Sequence, residues 1–261
     1  MMKKVMFKLI SVSVALSILF SLASCKKQEQ VPQEEEVEIS STKATQQPVQ
    51  ILELPTGEEE LVEMLNSAVG YIEHYCYYYT KNIKCEVSNL SVGSLSAAGK
   101  DADDAFKSIF GEKDITMNYD YNTSRDTFSA NFPSNDFTAD EVSLITAEQK
   151  DDEIILTAVF PDETNPTDAS GVLHRLCSDY QNSDDIAKAL SDFKASAEST
   201  SITASDITVK ATICAQDSSL RKLEVSYTQR YTLSGVTLVK LEGSAVTGTA
   251  KTTVIYSAMG A

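Results

Sequence analysis

Side chains able to do chemistry are few in this chain and widely spaced. Five cysteines stand at positions 25, 76, 85, 177 and 214, and the two histidines at 74 and 174. Imidazole is the side chain that exchanges a proton near neutral pH, so two isolated histidines leave little for general acid–base work or an imidazole metal site. Neither His74 nor His174 shares a motif with Ser, Cys or Asp, and no GxSxG, HExxH or glycine-rich phosphate loop occurs. Cys76, Cys85, Cys177 and Cys214 form an even set, which outside the cytoplasm permits two disulfides with three pairings. Cys76 and Cys85 are close enough in sequence to staple the first helix to the chain just beyond it. Buried free thiols are the other reading, since Cys76 and Cys177 fall on apolar helical faces. No CxxC is present, and the spacings do not suggest zinc. Among the acids, Asp162-Glu163-Thr164-Asn165-Pro166 with Asp168 after it has the oxygen density of a calcium loop. It lacks the sixth-position Gly and the closing bidentate Glu, and it equally suits a turn leaving a strand. Asp103-Asp104, Asp151-Asp152 and Asp184-Asp185 read as a solvated helix face, a hairpin tip and a helix start. No catalytic residue, cofactor site or metal site is assigned.

Cys25 is different because of the residues that precede it. Lys3, Lys4 and Lys8 give a cationic start, an apolar stretch runs from Leu9 to Leu22, and no acid appears before Glu29. That stretch is short for a membrane-spanning helix, which needs about 20 apolar residues. It suits a cleavable signal peptide over residues 1–24. Leu22-Ala23-Ser24-Cys25 resembles the lipobox of bacterial lipoproteins. The resemblance implies a thioether-linked diacylglycerol on Cys25 and cleavage before it, with a third acyl chain usual on the new amino terminus. Two acyl chains hold at about 0.8 kcal/mol per buried methylene, so the expected location is the extracytoplasmic face of the cell membrane.

Charge sets the partners such a protein can attract. The 261 residues carry 22 Lys and Arg against 38 Asp and Glu, a formal charge of -16. Losing residues 1–24 removes three lysines and no acid, leaving 19 cations against 38 acids and a charge of -19. Nucleic acid and anionic headgroups are excluded as partners held by charge, so the acyl chains are the expected sole anchor. At 42% apolar and 23% charged residues the chain as a whole is globular in composition. Residues 26–54 are the exception, with six Gln, Glu34-Glu35-Glu36, Pro32, Pro48 and Ser40-Ser41-Thr42. Such a stretch cannot bury enough to offset its ordering entropy and is expected to be a disordered tether.

From residue 55 to 261 the pattern is that of one α+β domain. Thr56 and Glu59 offer a capping box to a helix whose stripe of Leu61, Met64, Leu65, Ala68, Ile72, Tyr75, Cys76 and Tyr79 runs through about Thr80. Tyr71, Tyr75, Tyr77, Tyr78 and Tyr79 crowd its end; a helix end packed under a sheet is preferred over a sugar or ligand platform. A second helix is expected over 101–110 with Gly111 as its stop, a short one near 172–180, and another capped by Ser183. A hairpin is expected with arms 115–121 and 128–132, then a strand pair at 142–147 and 154–160. Alternation from Ile207 onward predicts a closing meander turned at Ser234-Gly235. Thr138–Ser143 and Thr203–Thr208 echo each other, which would suit a duplicated module. The expected architecture is a curved antiparallel sheet packed by a long N-terminal helix and shorter middle helices.

Phe132-Pro133, the strand pair after Thr138, the Asp162–Pro166 run and the closing meander together resemble a group of lipoproteins widespread in gut Gram-positive anaerobes, over roughly residues 55–258. The resemblance implies location and architecture, and no activity. In layout the chain is also similar to carriers of the LolA and LppX kind, which hold lipid in the hollow of a sheet. The expected function is a non-catalytic binding protein for an apolar or cell-wall ligand. A structural or adaptor lipoprotein that meets another envelope protein is the alternative, and an enzyme ranks last.

Overall fold

The computed structural model describes residues 54–98, 100–123, 132–166, 171–238 and 241–260. Residues 1–53, which hold the expected signal peptide, Cys25 and all but the last residue of the expected tether, lie outside them. So does most of the expected hairpin arm at 128–132. The described residues form a mixed α+β fold, mostly sheet, with four α-helices and nine strands.

Helix α1 (Glu58–Tyr75) has Glu58, Glu59 and Glu60 in its first turn, where the helix dipole favours negative charge. It buries Leu61, Leu65, Ala68, Val69 and Ile72 at helical spacing. Gly57 occupies the cap position without a side-chain bond, so the Thr56–Glu59 capping box does not form; Thr56 lies one residue too early. A Thr–Glu box forms instead at Thr138 and Glu141, where the Thr138 N–H donates to Glu141 Oε2 at 2.9 Å.

Strand β1 (Tyr78–Ser91) begins almost at once, so α1 ends five residues before the expected Thr80. Cys76 turns extended, at φ -94° and ψ 130°. From there Tyr79, Lys81, Ile83 and Cys85 point one way at strand spacing. Helix α2 (Lys100–Ile109) ends near Gly111, whose φ of +82° only glycine adopts at no cost. Strand β2 (Lys113–Asp120) pairs with β1. A hairpin joins β3 (Leu144–Lys150) to β4 (Glu153–Val159) as expected. The short β5 (Glu163–Thr164), α3 (Val172–Leu176), α4 (Ser183–Asp192) and β6 (Ala195–Ser196) lead to the three longest strands. Asn182, not Ser183, caps α4, accepting from the Asp184 and Asp185 N–H groups.

The long strands are β7 (Ser199–Cys214), β8 (Leu220–Leu238) and β9 (Leu241–Gly260). The sheet is antiparallel, in the order β2-β1-β9-β8-β7-β4-β3, with β5 and β6 pairing β7 and β8. Ser234-Gly235 does not turn the chain. Strand β8 runs through it with a shift in register between Leu233 and Val236, and Gly235 takes φ +58°. The Thr203–Thr208 stretch lies inside β7 across a similar irregularity, whereas Thr138–Ser143 is a turn before β3. The two echoes therefore occupy different structures, which removes the duplication.

At about 3.3 Å per residue, β8 spans roughly 60 Å, long enough to run through two cores. One apolar cluster joins Leu65 and Ile72 of α1 to Leu156, Val209, Val225 and Val254. The other joins Phe106 and Ile109 of α2 and Ile186 and Leu190 of α4 to Leu233 and Val246. Both lie on the same face of β8, because Leu223, Val225, Tyr227, Tyr231 and Leu233 alternate with wetter residues.

In the second cluster Phe110 stacks on Tyr231 at 4.5 Å and 4°. Gly248 faces Tyr231 from β9, and a Cβ there would stand 2.6 Å from the Phe110 ring. The ring is seated by the missing side chain. Gly248→Val should push Phe110 off Tyr231 and cost about 1–3 kcal/mol, the usual penalty of overpacking. Urea unfolding measures it, and an unchanged midpoint would refute this reading.

Candidate functional site

Among the described residues four polar side chains are buried in the sheet: Lys81 on β1, Thr252 on β9, Gln229 on β8 and Ser205 on β7, one on each of four neighbouring strands. The segment linking α3 to α4 explains two of them. The Lys81 ammonium, fully buried, lies 2.5 Å from Asp179 Oδ2, and Lys113 approaches the other oxygen at 3.8 Å. Gln229 Nε2 donates to the Gln181 carbonyl at 2.8 Å, and its Oε1 accepts from the Tyr231 hydroxyl at 3.0 Å and the Gln181 N–H at 3.4 Å. Beside them is a narrow space of about 20 Å³ lined by Cys85, Lys113, Asp179, Gln181, Gln229 and Thr252, among others. That is room for one water and no more.

All four candidate thiols are buried and unpaired, and three of them have raised pKa values. Burial pushes Cys76 up to about 11. Burial also raises Cys85, against a hydrogen bond to Thr252, and raises Cys177, with the Asp179 carboxylate adding to it. Cys214 accepts from Arg221 Nη2 at 3.3 Å. A thiol held protonated in an apolar setting is a poor nucleophile.

His74 is exposed on α1, opposite the buried stripe, and His174 is half-buried on α3 against the Tyr180 ring. Two of the side-chain oxygens in the Asp162–Pro166 run are engaged in the fold, while Glu163 Oε2 is buried without a hydrogen-bond partner and Asp162 is exposed. Glu163 Oε1 accepts from the Val172 and Leu173 N–H groups at the start of α3, and Asn165 Oδ1 accepts from the Ile202 N–H at 2.8 Å. Asp168 lies outside the described residues. Among the described residues no three His, Cys, Asp or Glu side chains converge as a metal site. Also on α3, Arg175 bonds Asp136 and Glu141 and sits 4.5 Å from the Phe137 ring. It forms one wall of an open cleft of about 400 Å³ shared with Glu73, Ser134, Asn135 and His174.

The tyrosines divide. Tyr79 is fully buried, stacked on Tyr119 at 4.7 Å and touching Phe132 and Tyr256. Tyr75, Tyr77 and Tyr78 are 61%, 58% and 40% exposed and Tyr71 is half-buried against the core, so the expected packing under a sheet holds in full for Tyr79, in part for Tyr71, and fails for the other three. Tyr75 pairs with Tyr71 at 5.2 Å, and Tyr77 meets Tyr121 edge-on at 5.8 Å. The Tyr78 hydroxyl reaches Asn118 Oδ1 at 3.4 Å, which also accepts from Thr80 at 3.0 Å; beyond it Asn82 donates to Thr116 at 2.9 Å. Sequence reasoning found these tyrosines but not the strand that splits them.

No protein-family model, curated protein or solved structure matches the chain.

Two variants test the buried ion pair. Asp179→Ala leaves the sealed Lys81 ammonium without its nearest carboxylate and should cost about 3–5 kcal/mol, the usual result of breaking a buried pair. Lys81→Met should cost less, because Asp179 is partly exposed and keeps Lys113. Denaturant titration of both variants checks the order, and equal losses would contradict it. In a Cys25→Ser preparation of the full chain purified without reductant, Cys76, Cys85 and Cys177 should ignore an aromatic disulfide reagent at pH 8. All four thiols should react once the protein is unfolded; a shortfall after unfolding would mean that disulfides form.

Proposed function

We propose that this chain is a lipid-anchored binding protein of the extracytoplasmic membrane face, holding its ligand on the surface of the folded domain rather than inside it. The lipobox at Leu22–Cys25 supports the anchor, and the composition of residues 26–54 supports a flexible spacer. No helix among the described residues is long and apolar enough to cross a membrane, which leaves Cys25 as the attachment this reading relies on.

One observation carries the choice of surface over interior. The face of the sheet that a lipid carrier would keep hollow is occupied here by the side chains of α1, α2 and α4, meeting Leu156, Val225, Leu233 and Val254 at zero exposure. The wider recesses are open grooves. One of about 670 Å³ is lined by Lys84, Glu86, Lys107, Glu112, Lys113 and Asp114 among others, a poor setting for an acyl chain. In this reading the register shifts in β7 and β8 bend the sheet around its helices, and the layout shared with lipid carriers ends at the architecture. Among the described residues no three His, Cys, Asp or Glu side chains converge, so this reading assigns no catalytic residue. The adaptor reading requires a contiguous aliphatic patch, and the exposed Ile115, Leu144 and Phe193 stand on three different elements.

Cys25→Ser should leave the protein unprocessed or release it to the medium, and should abolish incorporation of labelled palmitate. Native mass spectrometry of the wild-type protein in detergent should show its own acyl chains and no bound lipid. Label in the mutant would overturn the anchor, and a stoichiometric co-purified lipid would overturn the filled interior.

A further inference from the structure

Where the link between α3 and α4 crosses the sheet, two polar contacts are incomplete side by side. Gln181 Oε1 is buried and makes no hydrogen bond, although the Gln181 backbone is fully engaged with Gln229. An amide oxygen taken out of water without a donor is costly. Asp179 Oδ2 meets Lys81, but Oδ1 faces Lys113 across 3.8 Å, beyond the reach of a direct hydrogen bond. Asp179, Gln181 and Lys113 all line the space of about 20 Å³ beside the buried polar groups, with Thr252 on its sheet side. Gly111 forms another wall. A Cβ there would stand 3.2 Å from the Gln181 amide, so a glycine at the end of α2 is what admits that amide so close.

Size and charge together select the occupant. The space takes a single small molecule and nothing larger. A cation there would stand beside the Lys113 ammonium. An anion would stand beside the Asp179 carboxylate and the unpartnered Gln181 oxygen, so an ion of either sign meets a like charge in the wall. A neutral molecule that both donates and accepts meets neither objection. We propose that this space is the site of one structural water, which donates to Gln181 Oε1 and Asp179 Oδ1 and accepts from the Lys113 ammonium, with the Thr252 hydroxyl as its fourth neighbour. A buried water makes about three hydrogen bonds, and a water-mediated bond is nearly as good as a direct one. The water satisfies the orphaned amide and turns the long Lys113–Asp179 contact into two short ones. Its partners come from β2, β9 and the link, so it fastens a crossing otherwise held at Lys81 and Gln229. Cys85 and Lys113 also line the open groove of about 670 Å³, and the water exchanges with solvent from that side.

A crystal structure of the full chain at atomic resolution tests the assignment, with bromide and thallium soaks read by anomalous scattering. One water oxygen should stand about 3 Å from Gln181 Oε1, Asp179 Oδ1 and Lys113 Nζ, and neither soak should give an anomalous peak there. In solution, NMR of the full chain in detergent should show a nuclear Overhauser effect between the Gln229 side-chain amide protons and a long-lived water. Gln181→Leu keeps the backbone bonds to Gln229 and removes the acceptor, so it should lose that cross-peak. If Gln181→Leu does not fold, Lys113→Met is read in its place, with the same loss expected. A bromide or thallium peak would give the site to an ion, and a site without electron density would show it to be dry. A cross-peak unchanged in the variant would show that these side chains do not hold the water. Each of these results would overturn the proposal.

Discussion

A segment of chain that crosses a buried sheet face must find partners for every polar group it carries there, and this requirement organises the domain. The link between α3 and α4 makes such a crossing, touching β1 at Lys81 and β8 at Gln229, the two strands on either side of β9. Left unpaired, each of its buried groups would cost about 1–3 kcal/mol, and a charge more. The sheet answers with side chains no apolar core would choose. Gln229 donates to the Gln181 carbonyl and accepts from the Gln181 N–H, acting as a strand neighbour would. Lys81 brings a full charge to Asp179 and lies 5.4 Å from the centre of the Tyr256 ring. The polar crossing is also why there are two apolar clusters instead of one. Core residues Cys177 and Tyr180 belong to the first, and Ile186 and Leu190, just beyond, to the second.

The same lysine explains what sequence reasoning missed. Strand alternation is read from apolar residues at every second position, and β1 presents Tyr79, Lys81, Ile83 and Cys85 to the core. With a lysine in the second place, alternation is hidden, and Ile72, Cys76 and Tyr79 extend the helical spacing of α1 past its true end. Where inward positions are uniformly apolar, pattern and structure agree: α2 lies within one residue of its expected bounds, and β3 and β4 pair as a hairpin. Gly235 misled for a related reason. Glycine with positive φ serves a turn or a bulge equally, and only pairing with β9 on both sides of it distinguishes them. The tyrosines were legible as a cluster. Their division into one buried and three exposed depended on the place where helix becomes strand, which the buried lysine concealed.

With one face filled, the remaining surfaces differ in what they can offer. The outer face of the sheet reads Thr249, Lys251 and Thr253 on β9 beside Thr228 and Arg230 on β8, a wet array of β-favouring and charged side chains. Both edge strands carry charge: Lys113, Asp114 and Asp120 on β2, and Glu148 and Lys150 on β3. Charged edges discourage the strand-to-strand pairing that an open sheet invites.

The acidic charge and the exposed rings therefore act on different classes of partner. A net charge of -16 over the 261 residues repels anionic headgroups and phosphate polymers. Stacking on tyrosine does not depend on charge and survives in salt, where steering by the protein's field is screened within about 10 Å. A body this acidic that leaves Tyr75, Tyr77 and Tyr78 exposed presents aromatic surface whose contacts salt does not screen.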